Sequence, residues 1–136
     1  MARISCSSQW AVFSAGTLRA AVLPATLLFA ACTHYVGRGG DLYYEGRYIE
    51  AAHVLEMSET RVTSASPLEQ ASYGLYRGAT LLRLGDLEGA ERWLSYARQR
   101  VHLHPGTLSP DQTELLEETS IALHADLDRR GAARGF

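Results

Sequence analysis

The amino-acid sequence predicts an all-α protein, and three observations lead to this prediction. Apolar residues from Leu87 to Val101 recur at steps of three and four, which is the spacing of one helix face. Two Ser-Pro pairs, at Ser66 and Ser109, each precede a run with the same spacing. No segment shows the alternation of apolar and polar residues that is typical of a strand. With 136 residues, 46% of them hydrophobic and 21% charged, the chain has room for one folded domain.

The first two helices are predicted on either side of Gly46. The helix before it contains Gly37, Gly39 and Gly40. Each glycine inside a helix costs up to about 1 kcal/mol relative to alanine, because its backbone loses more freedom on folding. We therefore expect this opening helix to be frayed.

Helix starts and stops place the other three helices. In Ser66-Pro67-Leu68-Glu69 the serine caps the helix, the proline fits the first turn and the glutamate returns to the cap amide. Ser109-Pro110-Asp111-Gln112 repeats this arrangement before the fifth helix, which Gly131 is predicted to stop. The fourth helix follows Gly85. The residues that mark the apolar helical periodicity are Leu68, Ser72, Leu75, Ala79 and Leu82 in the third helix, Leu87, Ala90, Leu94, Ala97 and Val101 in the fourth, and Leu115, Leu116, Thr119, Ala122, Leu123 and Leu127 in the fifth.

Residues 1–31 have the features of a secretory signal. Arg3 and Arg19 precede Ala20–Ala31, which has twelve apolar or small residues and no charge. A helix needs about 20 residues to span a bilayer, so this run is short for a transmembrane segment and suits the apolar region of a signal peptide.

The residues at the end of this segment resemble the lipobox of bacterial lipoproteins. In Phe29-Ala30-Ala31-Cys32 the two alanines and the cysteine match that pattern, whereas Phe29 stands where leucine is usual. The resemblance implies that the Cys32 thiol receives a diacylglycerol, that the signal is cut just before it, and that the new amine is acylated, for example with palmitate. Residues 32–35 would then be a lipidated linker. Thr33, rather than an aspartate, follows the cysteine, which predicts the outer rather than the inner membrane.

The rest of the chain contains an internal repeat. Gly46-Arg47-Tyr48-Ile49-Glu50-Ala51-Ala52 and Gly85-Asp86-Leu87-Glu88-Gly89-Ala90-Glu91 share a glycine, a polar residue, a large apolar residue and then an alanine. Another glycine stands seven residues before each turn glycine, and a leucine nine residues after it. This pattern, over residues 36–105, resembles the tetratricopeptide repeat (TPR), a helical hairpin of about 34 residues.

The TPR resemblance implies two antiparallel helical hairpins and a C-terminal capping helix within residues 36–130, followed by a flexible tail at 131–136. The turn glycines are 39 residues apart, about five more than the family period, and we place the insertion in Thr60–Ser66. About three repeats are needed for independent stability. We therefore expect either a tight cap, with Leu116 and Leu123 packed on the second hairpin, or self-association into a homo-oligomer.

Residue types that could catalyse a reaction or bind a metal are scattered. His102 and His104 are two residues apart, and on a helix they would face about 200° apart. The carboxylates of Glu117-Glu118 and of Asp126-Leu127-Asp128 fall on the predicted exposed face of the fifth helix. We predict no enzyme activity, no metal and no cofactor. The net charge of −2 argues against nucleic acid, because a binder needs a dense basic face.

A partner-binding groove is the candidate site. In TPR arrays the first helix of each repeat lines the concave face, and the resemblance puts five residues of the third helix there. A groove with an aromatic ring and Arg83 would suit an apolar helix or extended peptide with an acidic neighbour. The predicted groove residues are Ser72, Leu75, Tyr76, Ala79 and Arg83.

Together these patterns predict a lipid-anchored TPR lipoprotein that faces the periplasm and binds protein partners during assembly of a cell-envelope complex. The alternative is a TPR subunit of an inner-membrane complex, held by an uncleaved helix formed by residues 10–31.

Overall fold

The computed structural model describes residues 35–134, which form five α-helices and one 3₁₀ helix, with no strand in that range. This confirms the all-α prediction. The predicted signal segment, residues 1–31, and Cys32 lie outside the described residues. The α-helices are α1 (Tyr35–Tyr44), α2 (Tyr48–Glu56), α3 (Pro67–Arg83), α4 (Leu87–Leu103) and α5 (Pro110–Arg134), and the 3₁₀ helix is Glu59–Ser64.

Two equivalent glycine turns join α1 to α2 and α3 to α4. Gly46 has a φ of 74° and Gly85 a φ of 81°, in the left-handed region that side chains with a Cβ rarely adopt. Each glycine amide donates to the carbonyl three residues earlier, and the next amide donates to the carbonyl five residues earlier, at 2.9–3.0 Å. These bonds close the preceding helix in the Schellman pattern. The glycines therefore lie in the turns where the sequence predicted them.

The two helix pairs also pack through equivalent residues. A Cβ added to Gly39 in α1 would lie 2.6 Å from the side chain of Leu55, and one added to Gly78 in α3 would lie 2.6 Å from Leu94. Each glycine precedes its turn by seven residues and each leucine follows it by nine. Because neither glycine has a Cβ, each leucine side chain, which is fully buried, packs directly against the backbone of the facing helix.

The opening helix is formed from Tyr35 to Tyr44, and its glycines are used for packing. Besides the contact of Gly39, a Cβ at Gly40 would lie 2.9 Å from the ring of Tyr76 in α3. Burial of neighbouring side chains against these positions offsets the backbone entropy that glycine loses in a helix. The sequence-based expectation of a frayed helix left out this tertiary contact.

Helix α3 is the centre of the fold and packs against each of the other four α-helices. Ser66 and Glu69 form the predicted capping box at its start. Every residue from Ala71 to Thr80 is buried. The Tyr73 hydroxyl donates to the carbonyl of Leu55 over 2.7 Å, and burial raises the pKa of Tyr73, so the phenol keeps its proton.

Arg77 fixes α3 against the end of α2. Its guanidinium donates to the carbonyl of Ala52 over 2.5 Å and lies 3.8 Å from the carboxylate of Glu56, although the Arg77 side chain is only 8% exposed. This places a positive charge near the C-terminal end of α2, where it interacts favourably with the helix dipole.

Helix α5 packs on α3 and α4 as the predicted tight cap. Leu116 and Leu123 are 5% and 1% exposed and belong to the same core cluster as Leu94. The segment between α2 and α3 contains the 3₁₀ helix Glu59–Ser64, whose Val62 is buried in the other core cluster. The packing of α5 agrees with the first of the two arrangements that the sequence left open, and self-association stays a prediction.

The C-terminal boundary of α5 differs from the predicted one. The helix continues through Gly131 to Arg134, whereas the sequence predicted a stop at Gly131 and a tail at 131–136. A Cβ at Gly131 would meet no atom within 4 Å, and Gly131 does not have a positive φ. The alanines that follow are strong helix formers, and a single glycine weakens a helix without ending it. Residues 135 and 136 lie outside the described range.

Candidate protein-binding groove

An open groove of about 950 Å³ runs between α1, the first half of α3 and the start of α5. The loop between α4 and α5 also contributes to its lining. We call it the α1–α3–α5 groove. Its lining residues are Val36, Gly37, Tyr44, Leu68, Glu69, Ser72, Tyr76, Gly106, Thr107, Leu108, Ser109, Asp111 and Gln112.

Gln112 joins the groove floor to α5. Its side-chain nitrogen donates to the Ser72 hydroxyl over 3.3 Å and to the Tyr76 hydroxyl over 3.2 Å. Its side-chain oxygen accepts from the backbone amide of Ser109 over 3.1 Å, which is the second capping arrangement that the sequence predicted. The cap of α5 therefore also orients the polar floor of the groove.

Tyrosine rings form one wall of the groove. Tyr44 is 63% exposed, and its ring centroid lies 6.1 Å from that of Tyr76 and 5.6 Å from that of Tyr43 in edge-to-face geometry. Partial burial, with Tyr76 close by, raises the pKa of the Tyr44 hydroxyl. The result is a neutral aromatic face with a hydroxyl at its edge, held by packing and open to solvent.

The other wall combines an apolar side chain with acids. Leu68, in the first turn of α3, is 50% exposed although it belongs to the apolar stripe of that helix. It lies at the groove margin, beyond the part of α3 that other helices cover. Glu69 and Asp111 are the charged residues among the lining, and Ser66 holds the Glu69 carboxylate. The groove is therefore apolar with an acidic margin.

The five residues predicted to line a concave face divide into three groups. Ser72 and Tyr76 do line the groove. Leu75 and Ala79 are fully buried in the core, so the prediction that they face a partner is wrong. The prediction is wrong because α3 is covered on several sides by its neighbours, α5 included, and keeps only part of one face open.

Arg83, the fifth predicted residue, lies elsewhere. It lines a separate, smaller cavity together with Tyr43 and residues of α5. Its guanidinium carbon lies 5.9 Å from the ring centroid of Tyr48, and a hydrogen bond with Tyr43 raises the pKa of Arg83. The prediction of an acidic partner depended on Arg83, and the groove instead presents Glu69 and Asp111.

Sequence reasoning missed Tyr44, Asp111 and Gln112 as groove residues. Two signals were present in the sequence. Gly40 allows α1 to approach α3, which brings Tyr44 to the groove, and the second capping arrangement fixes the start of α5. Joining them requires knowing that α1 and the start of α5 line the same groove on α3, which no local pattern reveals.

Other polar residues do not converge on a site. Within residues 35–134 no three His, Cys, Asp or Glu side chains are grouped so that they could hold a metal ion. His102 lies in the last turn of α4 and His104 is its C-terminal cap. Glu117 and Glu118 are exposed on α5.

None of the helices in the described part of the chain has the length and apolar character needed to cross a membrane. No protein-family model, curated protein or solved structure matches this chain.

Proposed function

We propose that this chain is a lipid-anchored scaffold of the bacterial cell envelope that holds an apolar segment of a partner protein, flanked by a basic residue, in the α1–α3–α5 groove. The observation that supports this most directly is the groove itself. Tyr44 and Leu68 expose large apolar surface on its two sides, and the charges at its margin are acidic. Aromatic anchors beside apolar pockets are typical of binding hot spots, and opposite charge steers a partner to them.

The packing of the two helix pairs supports the TPR resemblance. Gly39 faces Leu55 as Gly78 faces Leu94, and both pairs close on a left-handed glycine at the same offset. Such equivalence at a fixed spacing is expected of a repeat in which each helix pair buries its apolar side against the next. TPR arrays bind protein segments, which agrees with an open groove lined by α1, α3 and α5.

The sequence before the domain supports the lipid anchor. Cys32 ends the lipobox-like run, and only Thr33 and His34 separate it from Tyr35, where α1 begins. One fourteen-carbon chain holds a protein on a membrane only marginally, at about 0.8 kcal/mol per buried methylene. The two or three chains that the resemblance implies would hold it stably. We propose that the protein faces the periplasm, on the outer membrane.

Metabolic labelling with palmitate tests the anchor. We expect label in the parent protein, and we expect both label and membrane association to be lost in Cys32→Ser, because the serine hydroxyl cannot form the thioether. If both forms stay membrane-bound without label, residues 10–31 act as an uncleaved anchor, and the inner-membrane alternative would replace the proposal.

Crosslinking tests the groove. A photo-crosslinking amino acid at Leu68 should capture, in intact cells, a protein segment in which apolar residues are flanked by Lys or Arg. The same group at Ile49, which is 77% exposed and outside the groove lining, is the control. Capture of acid-flanked segments, or equal capture from both positions, would contradict the proposed specificity.

Truncation of the groove walls should weaken binding without unfolding the protein. We expect Tyr44→Ser with Leu68→Ser to lower affinity for the captured segment by about 2 kcal/mol or more, as at hot spots. Asp111→Asn should have a smaller effect, because its carboxylate lies at the exposed margin. Affinity would be measured by titration, with a thermal melt as the control for folding. Tyr76→Ala is unsuitable here, since Tyr76 is 8% exposed and packs on Gly40.

A further inference from the structure

A row of aromatic rings leads from the start of α1 to the C-terminal half of α4. Four rings, those of Tyr35, Tyr73, Trp93 and Tyr96, follow one another with centroid separations of 6.3, 5.1 and 5.6 Å. The guanidinium carbon of Arg100 lies 4.9 Å from the centroid of the Tyr96 ring. Burial raises the pKa of the Tyr35 hydroxyl, the nearby carboxylate of Glu69 raises it further, and the charge of Arg61, in the 3₁₀ helix, acts in the opposite direction.

The same end of the fold holds the last turn of α4 and the loop after it. Val36 and Gly37 of α1 line one groove together with Gly106 and Thr107 of that loop. At the opposite end, Arg130 near the end of α5 donates to the carbonyl of Gly85 in the α3–α4 turn, over 3.0 Å. The molecule therefore has one end where α1 starts and another where the two glycine turns lie.

Charge differs strongly between these two ends of α4. Residues 98–105, at its C-terminal end, contain two arginines and two histidines and no acid. Residues 84–91, at its N-terminal end, contain three acids and no basic residue. Leu103 adds an apolar side chain, 54% exposed, to the basic end.

We propose that the end of the molecule formed by Tyr35, Arg61, Tyr96, Arg100 and Leu103 lies on the bilayer and binds anionic lipid headgroups. We call it the anchor-proximal surface. This inference rests on the proposed acylation of Cys32. Three residue steps separate Cys32 from Tyr35, and they reach at most about 11 Å, so an acylated Cys32 would hold this end at the membrane.

The chemistry of the anchor-proximal surface suits the headgroup region. Tyrosine rings are amphipathic and are enriched at membrane–water interfaces. Arginine pairs with phosphate through two parallel hydrogen bonds. Leu103 can enter the boundary between headgroups and acyl chains. The acidic N-terminal end of α4 would point away from the membrane, where anionic lipids do not repel it.

A depth-sensitive fluorophore tests this orientation in the acylated, full-length product. The chain has two cysteines, Cys6 in the segment that is removed and Cys32 in the acylated position, so an introduced cysteine would be the single free thiol. The dye would be attached at Leu103→Cys and, as the matched control, at Leu84→Cys, which replaces an exposed leucine in the opposite turn (44% exposed). Both proteins would be reconstituted in vesicles of phosphatidylethanolamine and phosphatidylglycerol that carry quencher on the acyl chains.

We expect blue-shifted emission and several-fold stronger quenching at position 103 than at position 84. Arg61→Gln with Arg100→Gln should reduce the quenching at 103, and Arg129→Gln with Arg130→Gln, which removes the same charge at the far end, should not. Salt at 1 M, where the screening length is about 3 Å, should also reduce the quenching at position 103, as Arg61→Gln with Arg100→Gln does.

Three results would overturn the inference. If Cys32 carries no acyl group, both this inference and the proposed anchor fail. If Cys32 is acylated and the two positions are quenched equally, the anchor stands and the orientation is wrong. If position 103 is shielded in native envelopes but exposed in vesicles, a protein rather than lipid covers this end.

Discussion

Replacing Leu123 with aspartate should unfold the domain, whereas the same substitution at Ile121, two residues earlier on α5, should leave it folded. Leu123 is 1% exposed and lies in the core cluster with Leu94 and Leu116, and Ile121 is 70% exposed. An unpaired carboxylate at position 123 would have to be buried or would force α5 away from α3 and α4. Either outcome costs several kcal/mol, against a total stability of about 5–15 kcal/mol for a typical domain.

The double variant Leu94→Asp with Leu123→Asp should show no cooperative transition at all, because it places two charges in one cluster. Leu123→Ala is the milder substitution. It should lower the free energy of unfolding by about 2–5 kcal/mol, through lost burial and the cavity left behind. Urea denaturation followed by circular dichroism measures each variant against Ile121→Asp. A Leu123→Asp protein with the parent's transition midpoint would show that α5 contributes nothing to stability.

Features with a local cause could be predicted from the sequence. The capping boxes at Ser66 and Ser109 depend on residues three positions apart, and both form with the expected bonds. Each turn glycine adopts the left-handed conformation that ends a helix. The stripe on α4 follows from periodicity alone, and Ala90, Leu94 and Ala97 in it are fully buried.

The candidate groove could not be predicted in this way, because it depends on contacts between distant segments. Whether a residue of α3 lines the groove or lies in the core depends on the helices that pack on α3. One of these is α5, whose Gln112 bonds Ser72, 40 residues away in the sequence. Leu75 and Ala79 lie in the core, whereas Tyr76 lines the groove. Their spacing in the sequence does not show which of these residues the neighbouring helices cover. The formation of α1 has a similar cause, since the contact of Gly40 with Tyr76 joins residues on different helices.

The two proposals, that the groove binds a partner segment and that the anchor-proximal surface lies on the bilayer, are connected by the loop after α4. Gly106 and Thr107 line the groove, and they follow directly after the basic end of α4. If that end lies on the bilayer, the part of the groove that these two residues line is close to the headgroups. A partner segment that reaches it would then be found near a membrane, where segments that combine apolar and basic residues are common. The acidic margin at Glu69 and Asp111 would select for the basic ones.

Adding one methyl group at Gly78 should destabilise the protein, although alanine is the better helix former. The new Cβ would lie 2.6 Å from Leu94 Cγ and 3.0 Å from its backbone nitrogen. A change of side-chain rotamer cannot move that nitrogen, so α4 must shift away from α3. Overpacking of this kind costs about 1–3 kcal/mol, which exceeds the gain of up to about 1 kcal/mol in helix propensity. Gly78→Val adds two more carbons and should cost more than Gly78→Ala.

Gly37 and Gly39 provide the matched comparisons on α1. A Cβ at Gly37 would meet no atom within 4 Å, so Gly37→Ala should stabilise the protein by up to about 1 kcal/mol through helix propensity alone. At Gly39 the three nearest atoms all belong to the side chain of Leu55, which can partly adjust. The stability of Gly39→Ala should therefore lie between those of Gly37→Ala and Gly78→Ala. Thermal and urea unfolding should therefore rank Gly37→Ala above the parent, the parent above Gly39→Ala, and Gly78→Ala last. If Gly78→Ala were as stable as Gly37→Ala, the close approach of α3 and α4 would not depend on the missing Cβ. The equivalence of the two helix pairs would then lose its physical basis.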